Sequence, residues 1–184
     1  MNHKEKVLLN RGIDKVKRKK YEEALDIFER VLAMNQEVPE AWNNKAVALY
    51  GLGRLEEALE SYDRCLALDP ENMDALRNKG FLLRNLRRLE EALEVYDCVL
   101  QKGGDAYDME STAAVLTALG RLEEALNCLY LARDEMSLPR LEDEIAMVKG
   151  LIEKRGSLVP QEKESRDVSP PEKDPQERGL QGKE

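Results

Sequence analysis

Histidine is almost missing from this chain, which carries His3 alone among 184 residues, and aromatic residues make up only 5% of it. A nucleophile therefore has no imidazole base beside it, and no histidine cluster can hold a metal. Cysteine is scarce as well: Cys65, Cys98 and Cys128 lie far apart, with no Cys-x-x-Cys spacing, which excludes a zinc ribbon and a disulfide framework. No apolar run approaches the roughly 20 residues that span a bilayer. The polar start, Met1 to Lys6, leads directly into a helical pattern without a secretory apolar region, so a cytoplasmic location is expected. Positive charge is in short supply, with 29 Lys and Arg against 37 Asp and Glu and a formal net charge of -8. Phosphate binding is carried by Lys and Arg, so nucleic acid is not expected as the main partner. One local exception is the basic knot Lys15, Lys17, Arg18, Lys19 and Lys20, which belongs to a solvated turn or, as a minor alternative, contacts an acidic partner, RNA or anionic lipid.

Ala, Leu, Glu, Lys and Arg dominate what is there, all good helix formers, and nothing alternates with a period of two. The stretch Arg-Leu-Glu-Glu-Ala-Leu stands at Arg54 to Leu59, Arg88 to Leu93 and Arg121 to Leu126, with Lys-Tyr-Glu-Glu-Ala-Leu at Lys20 to Leu25. Its alanines, Ala24, Ala58, Ala92 and Ala125, are spaced 34, 34 and 33 residues apart. A fixed period of that length predicts stacked helical units, each unable to bury its apolar face alone. Within a unit two segments show helical apolar spacing, as at Ala41, Trp42, Ala46 and Leu49 and then at Leu55, Ala58, Tyr62 and Cys65. Gly51-Leu52-Gly53 separates these two, and Asp69-Pro70 closes the unit.

These copies resemble tetratricopeptide repeats. The second matches that family's pattern of large, small and turn residues with Trp42, Ala46, Leu49, Ala58, Tyr62, Cys65 and Pro70, and the third with Leu76, Gly80, Leu83, Ala92, Tyr96 and Val99. The first departs from it at Lys15, and the fourth is one residue short and lacks the proline. The resemblance implies an all-α fold, a right-handed superhelical solenoid of antiparallel helix pairs. The expected layout is an array over 1–155, with repeats at about 5–38, 39–72, 73–105 and 106–137 and a closing helix at 138–155 capped by Ser137 and Pro139. Leu141, Ile145, Val148 and Ile152 form that helix's apolar stripe, and the Pro-, Glu- and Lys-rich 156–184 is expected as a disordered tail.

The paired glutamates do not suit acid and base chemistry, because adjacent helix residues do not face one another and each pair sits in a first turn, where it favours the macrodipole. No enzyme and no cofactor are expected. In this family the first helices line a concave surface that takes peptides. There Asn10, Asn44 and Asn78 recur every 34 residues as a ladder of side-chain amides suited to an extended backbone. Copies about 10 Å apart match about three residues of such a chain. Candidate neighbours on this face are Ile13, Lys17, Asn43, Val47, Tyr50, Arg77, Phe81, Arg84 and Tyr107, with Phe81 and Tyr107 either groove aromatics or core. Chaperone-binding members hold a C-terminal carboxylate with lysine and arginine at set positions. The matching positions offer Leu9, Ile13, Asn44, Asp74 and Asn78 in one register, and Asn43, Val47, Asn78, Tyr107 and Ser111 in the next, so the cations are lacking. The expectation is a protein-interaction adaptor, monomeric or weakly homo-oligomeric, with a peptide or protein partner, no small-molecule substrate and no membrane. The alternative is a self-associating scaffold acting through its ends or convex face.

Overall fold

Four motifs of helix, tight turn and helix, followed by a ninth helix, account for the described residues of the computed structural model, 1–136 and 140–158. The helix pairs are α1 (His3–Lys17) with α2 (Tyr21–Met34), α3 (Pro39–Gly51) with α4 (Leu55–Leu68), α5 (Met73–Asn85) with α6 (Leu89–Gln101) and α7 (Ala106–Ala118) with α8 (Leu122–Met136). The last helix, α9 (Leu141–Leu158), packs on α8. Expected residues Ser137 and Pro139, and 159–184 of the expected tail, lie outside the described residues, while the first three residues of that tail, 156–158, belong instead to α9. Among the described residues no helix is long and apolar enough to cross a membrane.

The turn inside each pair is the same. At the equivalent position the backbone turns left-handed, at Lys19 (φ 57°), Gly53 (75°), Arg87 (61°) and Gly120 (75°). The following N–H then reaches back to close the first helix, Lys20 to the Lys15 carbonyl, Arg54 to Leu49, Arg88 to Leu83 and Arg121 to Leu116, each at 2.9–3.0 Å. This is the Schellman arrangement, for which glycine is the natural residue. The second helix then opens with an ion pair drawn from the repeated motif. Arg54 donates twice to Glu57 at 2.7 and 2.6 Å, Arg88 to Glu91 at 2.6 and 2.5 Å, and Arg121 to Glu124 at 2.7 and 2.6 Å, while Lys20 binds Glu23 at 2.9 Å. Lys15 also pairs with Glu23. The second glutamate of each motif is thus tied to the residue that starts the helix, and the first is left exposed.

Close helix approach explains the small residues. An added Cβ on Gly12 would stand 2.4 Å from the ring of fully buried Phe28, so only glycine lets α1 and α2 meet there. Gly80 repeats this beneath the Tyr96 ring, 3.0 Å from an added Cβ, and Ala46 and Tyr62 hold the equivalent positions, with all four buried. Ala24, Ala58, Ala92 and Ala125 are completely buried, as is Cys65, whose thiol pKa burial pushes up to about 11. Leu141, Ile145 and Val148 of α9 are buried too, and Ile152 packs at the edge of the core. Between repeats, Lys45 reaches back to Glu29 at 3.4 Å and Lys79 to Asp63 at 2.6 Å, equivalent positions one repeat apart, while Thr112 stands where the fourth copy would need the lysine.

Arg87→Gly should raise the unfolding free energy by about 0.5 kcal/mol and Gly53→Ala should lower it by about 1 kcal/mol, because an L side chain is penalised at positive φ. Urea titrations of the two variants measure both, and the same sign for each would be wrong. Acid should weaken the array. Hydrogen bonds from Lys15 and Lys20 bring the Glu23 carboxyl from 4.5 to about 2, and arginine bonds lower Glu57, Glu91 and Glu124. A carboxyl depressed in the folded state stabilises it fully above the unfolded value and loses that contribution as pH falls through the folded value. Thermal melts should therefore drop between about pH 4.5 and 2, with a shallower fall in Glu23→Gln.

Candidate functional site: the inner face of the first helices

The first helices contact one another in sequence, α1 with α3, α3 with α5 and α5 with α7, whereas no second helix is in comparable contact with the next second helix. The array therefore curves with α1, α3, α5 and α7 on its inner side. Each residue placed on that side by sequence is at least partly accessible. Asn10 and Lys17 are exposed, and Ile13, Asn43, Asn44, Val47, Arg77, Asn78 and Arg84 are half-buried. Phe81 and Tyr107 are 41% and 52% exposed, so they are not core.

The amides are partly engaged. Asn44 Nδ2 donates to the Glu40 carbonyl of its own helix at 2.7 Å, and Asn78 Nδ2 approaches Asn43 Oδ1 at 3.4 Å, linking α5 to α3. Next to them the aromatic residues form a row. Tyr50 and Phe81 meet edge to face at 5.9 Å, Asn85 donates to the Tyr50 hydroxyl at 3.1 Å, and the Arg84 guanidinium lies 5.4 Å from the Phe81 ring centre. Arg77, Asn78, Phe81 and Tyr107 share one open cavity of about 420 Å³ with Tyr96 and Ser111. Asn10, Ile13 and Lys17 stand apart from it on α1.

Arg77 has a second task. Its Nε and Nη2 donate to the two carboxylate oxygens of Asp108 at 2.9 and 2.6 Å, and Nη2 also reaches Asp105 at 3.3 Å. Asp108 is only 5% exposed and accepts as well from the backbone N–H of Asp105, within the cap that starts α7. The cation thus compensates a buried carboxylate and bolts α5 to the N-terminus of α7, and the Asp108 bond in turn raises the Arg77 pKa.

A second cavity, about 620 Å³, opens between α7 and α9. Ser111, Ala114 and Thr117 line its α7 side, and Glu144, Met147 and Val148 its α9 side. Arg140, just ahead of α9, forks onto Glu110 at 2.6 and 2.5 Å and lies 5.6 Å from the Tyr107 ring centre. At the far end Arg155 donates to the Gly120 carbonyl at 3.2 Å. The apolar stripe expected for the closing helix gave no hint of its share in this cavity. The available signal was Met147, an apolar residue off the buried stripe and 56% exposed.

A family model described as Tetratricopeptide repeat matches residues 9–71 and 49–107, together more than half of the chain. The chain belongs to the tetratricopeptide repeat family. No curated protein matches this tetratricopeptide repeat chain in sequence. Among solved structures it is similar to the MamA RS-1 ArsTM double mutant, at 21% identity and a TM-score of 0.76 over 85% of this chain and 89% of that one. MamA 41-end from Desulfovibrio magneticus RS-1 gives 22% identity and a TM-score of 0.71, covering 86% and 96%. A tetratricopeptide repeat protein from Parabacteroides merdae gives 22% and 0.70, covering 83% of this chain and 60% of its own. At these identities the likeness concerns the fold alone, a solenoid of antiparallel helix pairs.

Replacing Arg77 with alanine should cost about 1–3 kcal/mol, since it strands the buried Asp108 carboxylate. Much of that loss should return in Arg77→Ala with Asp108→Ala. Chemical denaturation of the two variants measures it, and a full loss in the double variant would show that the pair is not the cause.

Proposed function

We propose that this tetratricopeptide repeat chain is a cytoplasmic, non-enzymatic adaptor that holds a peptide segment of another protein along its inner face. The observation that carries the proposal is the row of accessible aromatic residues, Tyr50, Phe81 and Tyr107, on three successive first helices. Their flat apolar surfaces lie beside amides that can match a backbone. Three net hydrogen bonds from the asparagine ladder supply about 1.5–4.5 kcal/mol, short of the roughly 8 kcal/mol of a micromolar complex. Because Asn44 and Asn78 already have internal partners, a peptide must exchange those bonds. Most of the affinity therefore falls to the aromatic row, with the ladder setting register and Arg84 and Val47 selecting side chains. Arg77 serves as a fixed wall.

Random dodecapeptides displayed on phage and selected on the immobilised full chain test this. Retained peptides should bind Phe81→Ala about tenfold more weakly. The pair Asn44→Ala and Asn78→Ala should also weaken them, while either variant changes stability by less than about 0.5 kcal/mol. If no peptide is retained, or if both variants bind with unchanged affinity, the aromatic row and the asparagine ladder are not the binding surface.

A further inference from the structure

The cavity between α7 and α9 is open, with Arg140 forked onto Glu110, one of its lining residues. Its α7 wall is made of short side chains, Ser111, Ala114 and Thr117, one turn apart, and Ala114 is exposed although apolar. Its α9 wall presents Met147, a soft and adaptable apolar surface, and deeper in lie buried Leu129 and Val148. A recess of about 620 Å³ with one shallow and one pliant apolar wall has room for a large side chain that nothing among the described residues fills.

Charge at the recess is uneven. Glu110 is neutralised by the Arg140 fork, and Arg84, at the opposite edge, lies over the Phe81 ring. Glu144 forms no ion pair within 4 Å among the described residues. Resting on the peptide-binding proposal above, we propose that this recess is the specificity pocket of the groove. It takes one large aliphatic side chain of the partner segment, with a lysine or arginine beside it whose cation is held by Glu144. Burial, then the nearby Glu110, raises the Glu144 pKa against the pull of Arg140, so an incoming cation would relieve a carboxylate that the fold leaves under-compensated. The net charge of -8 favours the approach of a basic segment in the same sense.

Full-length protein labelled at its Ala, Thr and Met methyl groups reads the pocket directly by NMR. Two probes are titrated, acetyl-Lys-Leu-Leu-Lys-amide and acetyl-Glu-Leu-Leu-Glu-amide. The lysine peptide should shift the Ala114, Thr117 and Met147 methyl signals with an affinity about tenfold above that of the glutamate peptide. Glu144→Gln should remove most of that preference, and Ala114→Leu, at an exposed position, should abolish both responses while leaving the remaining signals in place. Equal response to the two peptides, shifts confined to other parts of the inner face, or an unchanged preference in Glu144→Gln would each overturn the assignment. So would concentration-dependent shifts without peptide, which would make a second copy the occupant, or contacts from the Met147 methyl to residues 159–184, which would make it the chain's own end. Failure here with the Phe81 and asparagine effects intact removes only the pocket. Pocket shifts with those effects absent remove only the aromatic row and ladder.

Discussion

Everything in this array depends on how closely two helices of a pair can approach where a small residue meets a ring. Gly12 lies under Phe28 and Gly80 under Tyr96, Ala46 and Tyr62 hold the equivalent positions, and the ring in each case is buried. Close approach turns a modest apolar content into a dense core, since dispersion contacts accumulate only when gaps are small. It also holds successive pairs at one spacing, and the spacing brings residues 34 positions apart onto one surface. The ladder Asn10, Asn44 and Asn78 is thus a consequence of the buried rings.

Charge follows the same division of labour. Exposed pairs such as Arg54 with Glu57 recur at every second helix and settle its start, each contributing little by itself. Arg77 with Asp108 is different, because one partner is buried and its loss would leave a carboxylate without compensation. Between these extremes lie Lys45 with Glu29 and Lys79 with Asp63, which cross from one repeat to the next. Where the fourth copy puts Thr112 instead of lysine, the bolt between repeats is Arg77, acting from the inner side.

The helices, their pairing and the exposure of the inner face were legible in the sequence, because a period of 34 residues and a small residue facing a ring leave few other folds. The motif glutamates were placed correctly in first turns, yet their ties to Lys20, Arg54, Arg88 and Arg121 were not foreseen; a spacing of three within a cap says which residues are near and not which rotamers meet. The exposed state of Phe81 and Tyr107 needed coordinates, since helical phase at that position serves core and groove alike. Arg77 looked like a free selector because its partner, Asp108, lies 31 residues away on another helix. The recess beside α9 was invisible for a related reason: it arises from how the last helix sits against the fourth pair, beyond the point where the repeat pattern applies.

The unequal layering of the array has a mechanical side. First helices already touch along the inner surface, whereas second helices stand apart on the outer one. Tightening the curve would press together atoms that are in contact, and repulsion rises steeply there. Opening it would part the inner row, at the cost of the pair of Arg77 with Asp108 between α5 and α7 and of the contacts of Tyr50 with Phe81 and Asn78 with Asn43 between α3 and α5. The solenoid is therefore a spring of uneven stiffness, clasped most firmly between α5 and α7, and a long guest widens its seat toward α1 more cheaply than there.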